Sequence, residues 1–178
     1  FWDTQANKKD KILIVGLGSV GLLTAYYFRL KGYKNLYVTD LNSQKKKIAK
    51  KLRLNFVEFK KVDNFDSIVN TTSSYNVLND SLAKLNLDGK LIEASWYGNK
   101  TGKLNLGNEF HSKRLKIISS QVSNIPEHKK KKHNYKTRLK IAIGALNKDE
   151  IMILINSNSN FKDLENDYTY ILNNENII

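Results

Sequence analysis

Residues 11–21 run Lys-Ile-Leu-Ile-Val-Gly-Leu-Gly-Ser-Val-Gly. The run from Lys11 to Val15 is short, apolar and β-branched, with polar residues before it and glycine after it, the pattern of a strand buried on both faces. Leu22 to Leu30 follows as a mostly apolar helix-forming stretch that stops near Gly32. The three glycines between them each have a separate physical task. Gly16 permits the tight turn out of the strand, Gly18 lets a pyrophosphate approach backbone N–H groups with no side chain intervening, and Gly21 allows helix and strand to pack closely. Ala25 keeps the same helix face small. Ser19 and Val20 open the helix, where unpaired N–H groups and the positive end of the dipole favour an anion.

The next strand, Leu36 to Thr39, ends at Asp40, about 20 residues beyond Gly21. A carboxylate there accepts hydrogen bonds from the adenosine ribose hydroxyls and repels a 2′-phosphate. NAD is therefore expected over NADP, with Lys45, Lys46 and Lys47 near enough in sequence to keep NADP open. Glycines at this spacing also serve ordinary turns, and flavoproteins and methyltransferases use related loops. The strand before, the helix after, Ala25 and Asp40 together favour a dinucleotide site.

Farther along, Lys45 to Leu54 reads as a basic-faced helix and Phe65 to Asn70 ends a fourth strand. Thr71 to Ser74 is a polar turn opening a helix from Tyr75 to Leu85, and Gly89 marks another turn. Lys90 to Ser95 and Leu115 to Ser119 read as the fifth and sixth strands. The predicted class is α/β: a doubly wound, Rossmann-type parallel sheet of about six strands, helices on both faces, with ligand across the carboxyl ends of the strands. Residues 1–150 form the dinucleotide-binding domain. Residues 151–178 read as a strand, Ile151 to Ile155, and a helix with Phe161, Leu164, Tyr168, Ile171 and Leu172 on one face.

Composition excludes several alternatives. At 178 residues the chain is about one domain long, and its 40% hydrophobic content is that of a globular protein. No run approaches the ~20 apolar residues of a membrane-spanning helix, and no signal core follows the N-terminus, so a cytoplasmic location is expected. The absence of cysteine removes disulfides and thiol chemistry, and three scattered histidines make no metal site. No Ser/His/Asp set or carboxylate pair stands at catalytic spacing, so no catalytic residue is assigned. The net charge of +13 invites a nucleic-acid reading, yet only four of the thirty basic residues are Arg and the lysines occur from end to end. They read as solvated, including His128-Lys-Lys-Lys-Lys-His133 after Pro126, a loop leading into a helix from Tyr135 to Leu146. His111, beside Glu109 in a short helix, reads as structural.

Several stretches together resemble the medium-chain, zinc-type alcohol dehydrogenase superfamily over nearly the whole length. They are residues 11–21, Val-Thr-Asp from Val38, Leu-Asp-Gly-Lys-Leu-Ile from Leu87, Ser-Trp-Tyr-Gly from Ser95, Gly-Asn-Glu-Phe-His from Gly107 and Ser-Ser-Gln-Val from Ser119. Phe1-Trp2-Asp3 looks like the helix that enters the superfamily's nucleotide domain. The resemblance implies that Asn70 and Thr71 line the adenosine and ribose path. It also implies that Ala94, Ser95 and Trp96, and the segment Ser119, Ser120 and Gln121, approach the nicotinamide through backbone groups. Trp96 and Tyr97 are expected to be mainly packing residues.

The superfamily's catalytic domain, with its zinc ligands and most of the substrate pocket, precedes the nucleotide domain and has no counterpart here. The chain therefore resembles an excised nucleotide domain, with zinc only in the missing part. The expected function is to bind NAD(P) and position nicotinamide for hydride transfer to or from an alcohol or carbonyl substrate. The alternative is a non-catalytic dinucleotide-sensing or nucleic-acid-binding module using the basic surface. No nucleic-acid or membrane partner is expected under the first reading, and an apolar face left open near Ile178 would favour a homodimer.

Overall fold

The computed structural model describes residues 1–146, 149–174 and 177–178. Its six strands are β1 (Ile12–Val15), β2 (Leu36–Thr39), β3 (Asn55–Phe56), β4 (Phe65–Asn70), β5 (Leu85–Glu93) and β6 (Lys116–Ser119). All pair in parallel, in the order β3-β2-β1-β4-β5-β6. Val15 pairs with Thr39 on one side and Asn70 on the other, so the carboxyl ends of β2, β1 and β4 finish level. Strand order reverses between β1 and β4, and the loops leaving those strands diverge to opposite faces.

Side-chain alternation in β1 explains the double winding. Ile12 and Ile14 pack on one face with Leu22, Ala25 and Phe28 of α1 (Ser19–Leu30), together with Ala49 of α2 (Ser43–Lys51). Leu13 and Val15 pack on the other with Leu78 and Leu82 of α3 (Tyr75–Ala83). Every β1 side chain is buried, each contributing about 1.5–3 kcal/mol. The remaining helices are α4 (Glu109–Ser112), α5 (Glu127–Lys130), α6 (Tyr135–Leu146) and α7 (Leu164–Asn173). Among the described residues no helix is long and apolar enough to cross a membrane.

Three differences from the sequence reading have physical causes. The two-residue strand β3 is too short for a period-two pattern to register. The helix expected to reach Leu85 ends at Ala83, because Leu85 already pairs with Phe65. From there β5 bulges through Asp88, at φ 58°, and resumes with Lys90 opposite Ser67.

The third difference corrects the C-terminal strand. Residues expected as a strand from Ile151 to Ile155 lie mostly in a 3-10 helix, Asp149–Leu154. A three-residue repeat aligns Ile151 with Leu154, and both are buried in the core cluster that also holds Tyr26 and Phe28. Glu150 beside them accepts from Tyr26 Oη at 3.0 Å and from Arg29 Nη2 at 2.5 Å, fastening the segment to α1. Helix α7 is present, with none of its residues buried. Phe161, Leu164, Tyr168 and Leu172 are exposed.

Candidate functional site

The three glycines of the first loop occupy three different environments. Gly16 has φ +90°, which a residue with a Cβ rarely adopts. A Cβ on Gly21 would collide with the Gly16 carbonyl, so the close approach of α1 to the loop requires glycine there. A Cβ on Gly18 would meet nothing within 4 Å. Gly18 therefore presents bare backbone to open space, beside the exposed Ser19 and Val20.

Gly18 is also the N-cap of α1, and no side chain caps that helix. The helices that follow β2 and β4 differ. Asn42 Oδ1 accepts the Gln44 N–H at 2.9 Å at the start of α2, and Ser74 Oγ accepts the Val77 N–H at 3.4 Å at the start of α3. Of these three crossover helices, α1 alone begins without a side-chain cap, which leaves its first-turn N–H groups the least satisfied and the most open to an external anion.

Asp40 ends β2 beside this loop. Its Oδ2 accepts the backbone N–H of Leu17 at 2.6 Å and its Oδ1 that of Asn42 at 2.8 Å. The carboxylate is thus fixed in orientation while each oxygen keeps a lone pair for a further donor such as a ribose hydroxyl. Of the lysines that kept NADP open, Lys45 is buried and Lys46 and Lys47 are exposed.

Asn70 and Thr71 support the site from beneath. Asn70 is fully buried, and its amide donates to Glu93 Oε2 at 2.7 Å while its Oδ1 accepts from the Thr72 N–H and hydroxyl. Thr71 Oγ1 lies 2.9 Å from the Gly16 carbonyl oxygen and 3.0 Å from that of Val15. Its hydroxyl holds the end of β1 to the end of β4.

Glu93, which sequence reasoning missed, joins the loops after β4 and β5. Its Oε1 accepts the Ser95 N–H at 2.8 Å, and its Oε2 accepts from Asn70 and, at 3.1 Å, from Tyr97 Oη. Burial, then the charge of Glu93 and its hydrogen bond, push the Tyr97 hydroxyl above its ordinary range. Tyr97 therefore stays protonated as a donor. An available signal was the parallel with Asp40: an acid closing an apolar strand, its oxygen taking the N–H two residues on.

The structure brings Val20, Ala94, Ser95, Ser119, Ser120 and Gln121 together in the wall of one crevice of about 920 Å³. Within it the Ser120 hydroxyl donates to Asp3 Oδ2 at 2.7 Å, and Gln121 Oε1 accepts the N–H groups of Ser123 and Asn124. Trp96 and Tyr97 line the same crevice. Trp96, expected to pack, is 86% exposed, whereas Tyr97 packs on Tyr75 with ring centroids 4.6 Å apart. Helix α6 supplies the opposite wall through Arg138, Ile141 and Ala145. Among the described residues no three His, Cys, Asp or Glu side chains gather so as to hold a metal ion. His111 is exposed, and His133 stacks near Trp2 at 4.9 Å.

Neither a family model nor a curated protein matches this sequence. Solved structures do. The 2R,3R-butanediol dehydrogenase of Bacillus subtilis matches with a TM-score of 0.76 at 15% identity, over 98% of this chain and 50% of that one. The chain shares the doubly wound, six-stranded parallel fold found in one half of that dehydrogenase structure. Acetophenone reductase from Geotrichum candidum, in complex with NAD, matches with a TM-score of 0.72 at 16% identity, over 99% of this chain and 49% of that one. Glucose dehydrogenase from Haloferax mediterranei, in complex with NADP, Zn and gluconolactone, matches with a TM-score of 0.72 at 18% identity, over 97% of this chain and 50% of that one. The chain therefore spans about half the length of the structures it matches.

Proposed function

We propose that this chain binds NAD(H) and presents its nicotinamide for hydride exchange with an alcohol or carbonyl compound, as one part of a dehydrogenase. The observation that carries the proposal is the uncapped N-terminus of α1 at Gly18, open to solvent and flanked by the oriented carboxylate of Asp40. Pyrophosphate fits the first, and adenosine ribose the second. With the adenosine on the β2 side, the nicotinamide half extends over the carboxyl ends of β4, β5 and β6. There Ala94, Ser95, Ser119, Ser120 and Gln121 line the crevice with Val20.

The dinucleotide supplies the hydride chemistry when bound. This chain's residues hold and orient it: Gly16, Gly18, Ser19, Val20 and Gly21 at the pyrophosphate, Asp40 at the ribose, Asn70 and Thr71 as the framework below. Asp40 favours NAD over NADP because a carboxylate repels a 2′-phosphate. The NAD- and NADP-bound relatives show that related folds accept either cofactor. Calorimetric titration of the folded chain with NADH and NADPH tests the reading. Saturable binding with NADH preferred is expected, and absence of saturable binding to both overturns it.

A further inference from the structure

Glu93 is a carboxylate whose three hydrogen-bond donors are all neutral: the Asn70 amide, the Ser95 N–H and the Tyr97 hydroxyl. The ion pairs among the described residues involve Glu150, Glu58, Asp63, Asp88 and Glu127, and none involves Glu93. Among the described residues its negative charge is solvated by dipoles and balanced by no cation in contact. Two of those donors belong to residues of the crevice wall, Ser95 and Tyr97, so the charge stands one hydrogen bond behind that wall. Of the charged residues lining the crevice, Asp3 is tied to Ser120. Arg138 stands on the α6 wall, its Nη1 donating to the Asn124 carbonyl at 3.3 Å.

Under the dinucleotide reading, on which this inference rests, the nicotinamide occupies that crevice. Oxidised nicotinamide carries a positive charge on its ring, and reduced nicotinamide carries none. The adenosine, riboses and pyrophosphate are the same in both. A fixed negative charge behind the nicotinamide wall acts on the ring charge alone and leaves the rest of the molecule's contacts unchanged.

We propose that Glu93 sets the redox preference of the site, its unpaired carboxylate selectively strengthening binding of the oxidised, cationic nicotinamide. Glu93 acts through the wall formed by Ser95 and Tyr97 and is a positioning residue. Asp40 and Glu93 then divide the work between the two ends of the ligand. One carboxylate reads the ribose at the β2 end, and the other reads the charge state of the ring at the β5 end.

The test is titration of the wild-type chain, E93Q and E93M with NAD+ and with NADH, each protein first checked for folding by thermal melting. E93Q keeps the shape of the side chain, and E93M removes the charge without placing a second amide against that of Asn70. Should E93Q not fold, E93M answers the same question. The expected result is a loss of about three- to ten-fold in NAD+ affinity with NADH affinity changed less than about two-fold. A double variant, E93Q/N70D, moves the carboxylate across the same hydrogen bond and should restore the wild-type NAD+ to NADH ratio. Equal losses for both nucleotides, or no change in either, overturn the proposal while leaving the dinucleotide reading intact. Failure of the wild-type chain to bind either nucleotide overturns both.

Discussion

The Leu17 N–H and Asp40 Oδ2 meet at 2.6 Å, so the glycine loop and the end of β2 are mechanically one unit. Asp40 is therefore a structural acceptor as well as the proposed ribose ligand. Serine at position 40 is too short to serve Leu17 and Asn42 together, and an orphaned N–H on the fully buried Leu17 costs about 1–3 kcal/mol. D40S should lower the urea midpoint, weaken NADH roughly ten-fold and move preference towards NADPH. Parallel NADH and NADPH titrations check this, and an unchanged ratio would place Asp40 away from the ribose.

Two glycine substitutions should fail in opposite ways. G18V adds a side chain where nothing stands within 4 Å, so the melting temperature should hold while NADH affinity drops by at least about ten-fold. G21A drives a methyl into the Gly16 carbonyl and should cost about 1–3 kcal/mol or more of stability. Melting curves beside NADH titrations separate the two. A G18V chain that binds as well as wild type would move the pyrophosphate elsewhere.

Thr71 tests how far the loop depends on β4. T71V keeps the volume and deletes the hydroxyl that reaches the carbonyls of Val15 and Gly16, and it should cost about 1 kcal/mol. Hydrogen exchange should then quicken at Gly16 to Val20 more than in α3. Uniform quickening across the chain would show that Thr71 supports the fold in general and not this loop.

The contact between Glu150 and Arg29 gives stability a dependence on acid. The Arg29 hydrogen bond holds Glu150 below the ordinary glutamate value of 4.5, with the Tyr26 hydroxyl adding to it against some burial. A depressed carboxylate contributes stability that is fully present above its unfolded value and is lost as pH falls through the folded one. E150Q should therefore melt below wild type at neutral pH, the gap closing as pH falls below about 4.5. A gap independent of pH would assign the effect to packing.

Where the sequence was informative, one residue type did one physical thing. Gly16, Gly21 and Asp40 are constrained by backbone dihedral, steric contact and charge, and those constraints are visible at the level of single letters. Burial on both sheet faces made β1 readable as a continuous apolar run, whereas β4 carries Asp66, Ser67 and Asn70 among its apolar residues. Asn70 and Glu93 were harder, because what they do depends on each other across 23 residues of chain and on a pairing that only the sheet register creates. The run Ile151 to Ile155 was misread because the same apolar letters serve a strand or a 3-10 turn, and the choice was made by the surface of α1 against which Ile151 and Leu154 pack.

Because Asn42 and Ser74 cap their own helices while Gly18 leaves α1 bare, the carboxyl rim of this half of the sheet has a built-in polarity. A long ligand with its anionic group in the middle can be pinned at one point only, like a beam on a single pivot. Which arm falls towards Asp40 and which towards the crevice is then settled by the arms themselves, a purine riboside on one side and a flat amide-bearing ring on the other. Under the proposed dinucleotide reading, the missing cap fixes where the molecule is held, and the chemistry at either end of the rim fixes which way round it lies.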